Sequence, residues 1–439
     1  MASVAKSKGI FYGWWIIAAC FVMSLYTSGV MGYGFTAVIN PIIKEFGWSS
    51  TQVSLASSLR GVEAGLFAPF IGMIIDRYGA RPVLFIGGII VGVGMILLSR
   101  IDSLITFYLA FGLIALGTSA VGVTTFIAAV ANWFHRKLGF AMGLMVSGFG
   151  MSGIVVVPAT MIIDSAGWRL GMFYFGIGVF AVVLPLSLFI RNHPEDYGLL
   201  PDGDTIQMES VTAEHSAHGA PGKKADKSIS VKQALSSRSF WIIALALSAQ
   251  HLVAGGVITH VMPYLSSLGY SREIGSLVAA AIPLTSIAGR FGFGWLSDRI
   301  KNKFLTMFGF VLMTLGLASF AFVAGGPLVI VLFLLLFTIG FGGTNTMRAI
   351  LPRTYFGFKG YGTYVGFMTG VGTLGSMVGP LLAGYTFDTL GTYQPIWLAY
   401  AVVALLCILT VALLPSVKAG ESAATVTEVT PELAEIKKE

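Results

Sequence analysis

Twelve stretches of the chain are almost unbroken runs of apolar residues, each close to the ~20 residues a helix needs to cross about 30 Å of hydrocarbon. They fall near 11–38, 51–75, 82–100, 104–131, 138–163, 169–190, 239–265, 274–296, 304–324, 327–350, 361–386 and 393–415. Strands of a membrane barrel would alternate apolar and polar positions in segments of about ten, and no such alternation occurs. The pattern predicts an all-α membrane protein with twelve transmembrane helices. The first run is too long for the apolar part of a cleavable leader, and no small-residue cleavage site follows it.

The polar punctuation repeats. Gly72-Met-Ile-Ile-Asp76-Arg77 recurs as Gly294-Trp-Leu-Ser-Asp298-Arg299, an offset of 222 residues (298 minus 76). The same offset relates Pro41 to Pro263, Gly47 to Gly269, Ser49 to Ser271, Gly153 to Gly375 and Pro158 to Pro380. Two pseudo-symmetric six-helix bundles follow, residues 1–191 and 239–415. A Ser/Ala/Lys/His-rich segment, 192–238, cannot bury an apolar face and reads as a flexible cytoplasmic linker; the tail, 416–439, reads the same way.

Composition agrees with the pattern: 55% of the 439 residues are hydrophobic and 11% charged, against about 25% charged in a soluble domain. The 55 glycines suit helices packed closely in lipid. The net charge of +7 points away from nucleic acid once the charges are placed. Twenty of the 27 Lys and Arg residues fall on the side of the N-terminus, and only Lys44, Arg100, Arg169 and Arg272 on the other. That asymmetry is the positive-inside rule, so both termini are expected in the cytoplasm of a multi-pass cell membrane protein, a bacterial inner membrane being the expected setting. Arg60, Arg290 and Arg348 remain, each within or at the edge of an apolar run. Cys20 and Cys407 lie inside runs and read as small apolar side chains. No metal or other cofactor is expected, and no nucleophile–base cluster or P-loop supports an enzyme or an ATP-driven pump. The G-x-G-x-x-G match at Gly148 to Gly153 follows no strand and reads as helix packing.

GMIIDRYGAR, Gly72 to Arg81, matches the G-x-x-x-D-[RK]-x-G-x-[RK] loop signature of the major facilitator superfamily, and GWLSDRIKNK repeats it without the second glycine. The chain therefore resembles that superfamily, which implies two halves rocking about a midplane site. It also implies a gating role for Gly72, Asp76, Arg77, Arg81, Asp298 and Arg299, the aspartates and basic groups clasping neighbouring helix ends. WFHRKLGFAMGLMVSGFG, Trp133 to Gly150, is similar to the helix 4–5 signature of the monocarboxylate transporter family. Asn40-Pro41, Phe240-Trp241, Pro263-Tyr264 and the Gly-Arg-x-x-x-Gly-x-x-Ser-Asp around Arg290 are similar to the oxalate:formate antiporter family. In both families the arginine matching Arg290 binds a substrate carboxylate. A guanidinium stays charged in low dielectric and offers a two-pronged fork to carboxylate, and an intramembrane charge is a functional candidate by default.

Departures from these families refine the expectation. Ser286 stands where monocarboxylate transporters have an aspartate, and no lysine occurs between Val371 and Thr373 where the oxalate transporters have one. A single cation at the site suits one carboxylate. Tyr33 keeps an aromatic of the oxalate site, while the aromatics of helices 4 and 10 are replaced near Gly122 and Thr124 and at Asn345, leaving room for a bulkier anion.

Arg60 and Glu63 share a helix face at i, i+3, near the bilayer centre, and suit either a proton carrier or a static pair. His251 is a further proton candidate, since imidazole titrates near neutral pH; His260 lies nearer the outer end. Arg348 is expected to snorkel to the inner surface. The expected activity is secondary transport of a small organic anion, a monocarboxylate first, in symport with a proton. Anion exchange and, less well supported, a drug or sugar facilitator are the alternatives. The expected partners are the substrate, H+ and the lipid bilayer, with a monomer sufficient.

Overall fold

The computed structural model describes residues 10–48, 50–203, 231–357 and 360–415. Within its helices, the side chains of 32–37, 39–40, 50–51, 53–64, 156–157 and 272 are outside the description. Span 1 comprises Tyr12–Ser28, a π-helical turn Gly29–Gly34 and Phe35–Phe46. Span 2 is Ser50–Tyr78 and span 3 Ala80–Leu98. Span 4 is Leu104–Ala120 with Val123–Ala131, span 5 Leu138–Met151 with Gly153–Ala166, and span 6 Trp168–Phe189. In the second half the spans are Arg238–Ser267, Arg272–Ser297, Asn302–Ala321, Pro327–Phe356, Tyr361–Leu390 and Gln394–Ala412, numbered 7 to 12. Among the described residues eleven of these helical stretches are both long and apolar enough to cross a membrane. Span 2, 29 residues long, is the remaining one, and it carries Arg60 and Glu63 in its sequence.

Local chemistry sets many boundaries. Ser103 and Thr106 form a reciprocal cap at the start of span 4, while the hydroxyls of Ser237 and Ser271 accept from the amides of Phe240 and Ile274. Each satisfies an orphan donor of a helix start. Gly47 and Gly269, related by the repeat, both turn with positive φ (67° and 84°), a conformation natural to glycine. They make the same turn in each half.

The halves differ where the first is irregular. Span 5 is interrupted at Ser152, whereas span 11 runs unbroken over 30 residues. The π turn of span 1 faces that interruption: a Cβ on Gly29 would stand 2.5 Å from Val155 Cβ and 2.9 Å from the Ser152 carbonyl oxygen. Such irregular backbone at membrane depth is tolerated when it is enclosed by protein or lines a cavity, and a Cβ at Gly153 would meet nothing within 4 Å.

The segment between the halves is less free than its composition implied. Asn132 and Trp133 side chains donate to the carbonyls of Asn192 and Arg191 at 2.9 and 2.8 Å. The Asp202 carboxylate accepts from the amides of His135, Arg136 and Lys137 at 2.9, 2.7 and 3.3 Å. Beyond it, Val231–Ser236 forms a short helix. The flexible-linker expectation for 192–238 therefore does not hold at its described ends, because residues 132–137 hold Asn192 and Asp202 at one end and the other is helical. Its middle, 204–230, and the tail beyond 415 lie outside the described residues.

Candidate functional site at the junction of the two halves

The two repeated aspartates make the same contact from opposite sides. Asp76, at the end of span 2, accepts from the amides of Gly362 and Thr363 at 2.8 Å each and from the Thr363 hydroxyl at 2.5 Å. Asp298, which caps span 8, accepts from the amides of Gly139 and Phe140 at 2.8 and 3.2 Å. Each carboxylate of one half thus caps the start of a helix in the other, where unpaired amides and the helix dipole favour an anion. Burial pushes the Asp298 carboxyl up from its ordinary value, and the two amides pull it back.

The glycines preceding the aspartates allow this approach. A Cβ on Gly72 would lie 2.2 Å from the Gly362 carbonyl oxygen, and one on Gly294 would lie 2.5 Å from that of Gly139. The motif's basic residues do something else. The Arg77 and Arg299 guanidinium groups lie over the Tyr78 and Trp295 rings at 5.3 and 3.6 Å. The Arg81 amide donates to Asn192 at 3.1 Å. A third bond between the halves came without a sequence signal: Arg353, 8% exposed, donates to the carbonyls of Ala131 and Phe134 at the end of span 4. Charge alone had placed it among the inner loop residues.

Arg290 lies deeper on the same junction. It is 7% exposed, and its Nη1 donates to the carbonyl of Val146 on span 5 at 2.6 Å. A Cβ on Gly150 would lie 3.1 Å from that nitrogen, and one on Gly143 would lie 2.6 Å from the Arg290 carbonyl oxygen. Of the glycines that resembled a nucleotide loop, Gly150 leaves room for the guanidinium between spans 5 and 8, while Gly148 packs against Ser24 and Phe21 of span 1. Span 10 closes the other side, with Thr346 Oγ1 donating to the Arg290 carbonyl at 3.3 Å.

The other expected site residues lie on spans 1, 2, 4, 7 and 10. Thr124 on span 4 meets Thr369 on span 11, hydroxyl to hydroxyl at 3.3 Å. The Asn345 amide turns back to the carbonyl of Phe341 at 3.3 Å. Tyr33 falls in the π turn of span 1, and Arg60 and Glu63 in span 2; the side chains of all three are outside the description. His251 holds the Leu247 carbonyl through Nδ1 at 2.8 Å and Arg348 Nη1 through Nε2 at 3.0 Å. Arg348 does not snorkel. It is 7% exposed, because span 10 continues to Phe356 rather than ending near 350 and so draws this residue into the helix interior. His260 bridges Tyr393 Oη at 3.2 Å and the Pro380 carbonyl at 3.0 Å, contacts of a packing residue.

Comparisons with known proteins identify the family. The family model of the Major Facilitator Superfamily matches residues 15–376. The chain belongs to the Major Facilitator Superfamily. Its curated relatives include monocarboxylate transporter 13 of Bos taurus, 25% identical over 387 residues that cover 87% of this chain and 84% of the relative. Monocarboxylate transporter 2 of Rattus norvegicus is 22% identical over 412 residues, covering 90% and 81%. Among solved structures of superfamily members, the proton:xylose symporter XylE superposes with a TM-score of 0.74 at 14% identity, over 95% of this chain and 99% of that one. The human organic anion transporter MFSD10 gives 0.66 at 14%, over 91% and 98%. At these identities the superpositions speak for the fold. The chain is a multi-pass membrane transporter of that superfamily and not an enzyme.

Proposed function

We propose that this transporter carries a small organic anion, a monocarboxylate first, together with a proton, by alternating access between its two halves. The observation that carries the reading is Arg290: a guanidinium 7% exposed, on span 8, whose hydrogen bond reaches across to span 5 of the other half. A group so placed can hold a carboxylate with two parallel bonds and feel the halves move. The monocarboxylate relatives point to the same substrate class. Thr124, Asn345 and Tyr33 complete the binding site in this reading, and Glu63 with Arg60, or His251, takes the proton. Asp76 and Asp298 with Gly72, Arg77, Arg81 and Arg299 form the gate. The basic excess sets that face, with both termini, in the cytoplasm, and residues 1–191 and 239–415 are the two moving bodies.

Uptake into proteoliposomes of labelled lactate, pyruvate, oxalate and xylose, with and without a pH gradient, tests this. Monocarboxylate uptake should be raised by an inward proton gradient. Arg290→Lys should weaken binding roughly tenfold or more, since one charge-assisted hydrogen bond is worth about 1.5–3 kcal/mol and an ammonium cannot reproduce the fork. Xylose uptake that is indifferent to Arg290 would overturn the anion assignment.

A further inference from the structure

Arg348 is the buried charge that the transport reading leaves unused. It sits on span 10 eight residues before the helix ends at Phe356, about 12 Å along the axis, and His251 sits 13 residues into span 7, about 20 Å from its start. The pair is therefore well inside the membrane. Arg348 Nη1 lies 3.0 Å from His251 Nε2, and Arg348 Nε has no hydrogen-bond partner among the described residues.

The partners fix every proton of the imidazole. A guanidinium only donates, so Nε2 must present its lone pair to Arg348. A carbonyl only accepts, so Nδ1 must carry the hydrogen directed at Leu247, at 2.8 Å. His251 is thus the neutral Nδ1–H tautomer, and a proton on Nε2 would meet a guanidinium N–H in the same place. The other charged or titratable groups nearby do not relieve this. Tyr361 of span 11 interacts with both Arg348 and Arg353 and gives its hydroxyl to the Ala349 carbonyl. Span 8 presents Arg290, engaged with Val146, and Tyr400 of span 12 bonds the Gly379 carbonyl. Among the described residues no carboxylate pairs with Arg348. A buried cation whose one hydrogen-bond partner among the described residues is a neutral ring, with a further donor idle among them, is arranged to take an anion.

We propose that Arg348 and His251 form a proton-coupling latch: the guanidinium keeps Nε2 of His251 closed to protons until a carboxylate draws Arg348 away. The vacated lone pair then takes a proton from the open side, while the Nδ1–H bond to Leu247 stays. Return of Arg348 after the anion leaves expels that proton to the other side. This inference rests on the transport reading for its anion, though the state of the ring can be tested without one.

Two measurements decide it. The first is NMR of protein with ring-labelled histidine in nanodiscs without substrate. His251 should remain the neutral Nδ1–H tautomer from about pH 5 to 8, the range in which a free imidazole titrates, and Arg348→Gln should let it titrate there. A His251 that titrates freely beside Arg348, or one that stays silent in Arg348→Gln, overturns the latch. The second measures protons taken up per lactate bound, by calorimetry in buffers of different ionisation enthalpy. Uptake of about one proton in the wild type should be lost in His251→Gln. If His251→Gln still takes up the proton and Glu63→Gln does not, Glu63 is the carrier and the latch is rejected. A protein that binds none of lactate, pyruvate or oxalate would refute the anion reading, and the ring measurement would still decide the latch.

Discussion

Glu45 gathers three donors where span 1 ends and span 6 begins: Trp168 Nε1 at 2.6 Å, and Arg169 Nη2 and Nε at 2.7 and 3.0 Å. Arg169 also donates to the carbonyls of Ser99 and Ile101, tying spans 1, 3 and 6 together. The hydrogen bond from Arg169 holds the Glu45 carboxyl below its ordinary 4.5. A carboxyl whose folded value is depressed adds stability above the unfolded value, and that stability is lost as pH falls from about 4.5 through the lower folded value. The pair is about two-fifths exposed, so water screens it and the contribution is at most about 1 kcal/mol. Melting curves in detergent should show the wild type losing more stability than Glu45→Gln between about pH 7 and pH 3.5; parallel losses would show that the ion pair contributes nothing. Single residues were legible where chemistry was out of place in the sequence, as with Arg290 inside an apolar run. Arg348 and Arg353 were misjudged for one reason: apolar periodicity fades before span 10 ends, so one buried guanidinium was expected to snorkel to the inner surface and the other looked like a residue of an inner loop. Nothing marked Asp202, whose role depends on three amides that the fold brings to it.

Between helices, the close contacts across the halves depend on glycine. Gly294→Ala would drive a methyl group against the backbone of span 5, where the nearest atoms are the Gly139 carbonyl oxygen at 2.5 Å and the Gly143 Cα at 3.1 Å. It should cost about 1–3 kcal/mol, as overpacking does. Gly292→Ala, two residues earlier, meets nothing within 4 Å, and should be neutral or stabilising by up to about 1 kcal/mol because alanine favours the helix. Thermal shift of the two variants side by side checks this; equal losses would mean that helix propensity and not the approach of spans 5 and 8 sets the cost. The existence of the helices was legible because the bilayer demands long apolar runs. Their irregularities were not. The π turn at Gly29–Gly34 and the interruption at Ser152 answer to each other across two spans, and local glycine content alone does not distinguish a bent helix from a tightly packed one.

For the molecule as a whole, the face that carries the repeated motif is joined across the halves by helix caps. On the transport reading, Asp76→Ala and Asp298→Ala each remove a carboxylate that satisfies two backbone amides. A lost cap costs roughly 0.5–2 kcal/mol, enough to move the balance of open and closed states roughly 2- to 30-fold. Distances between spin labels placed on the two halves at this face should lengthen in both variants; unchanged distributions would remove the aspartates from the gate. The repeat was legible in the sequence at an offset of 222 residues, and so were the aspartates it carries. That its grip is carboxylate on amide, with the arginines turned to aromatic rings, required the helix starts of spans 5 and 11 to be seen.

That grip is reciprocal, each half offering one aspartate and receiving one. Two identical subunits related by a two-fold axis meet through an isologous surface of this kind, and here the surface is built into a single polypeptide. The amide bonds made by Asp76 and Asp298 use no residue of the segment 192–238 that ties the halves together. Co-expressed as two separate chains, residues 1–203 and 231–439 should find each other in the membrane and co-purify. Asp76→Ala combined with Asp298→Ala should weaken that association far more in the split pair than it destabilises the intact chain. A split pair that never associates, with both fragments inserted, would show that the junction needs its tether.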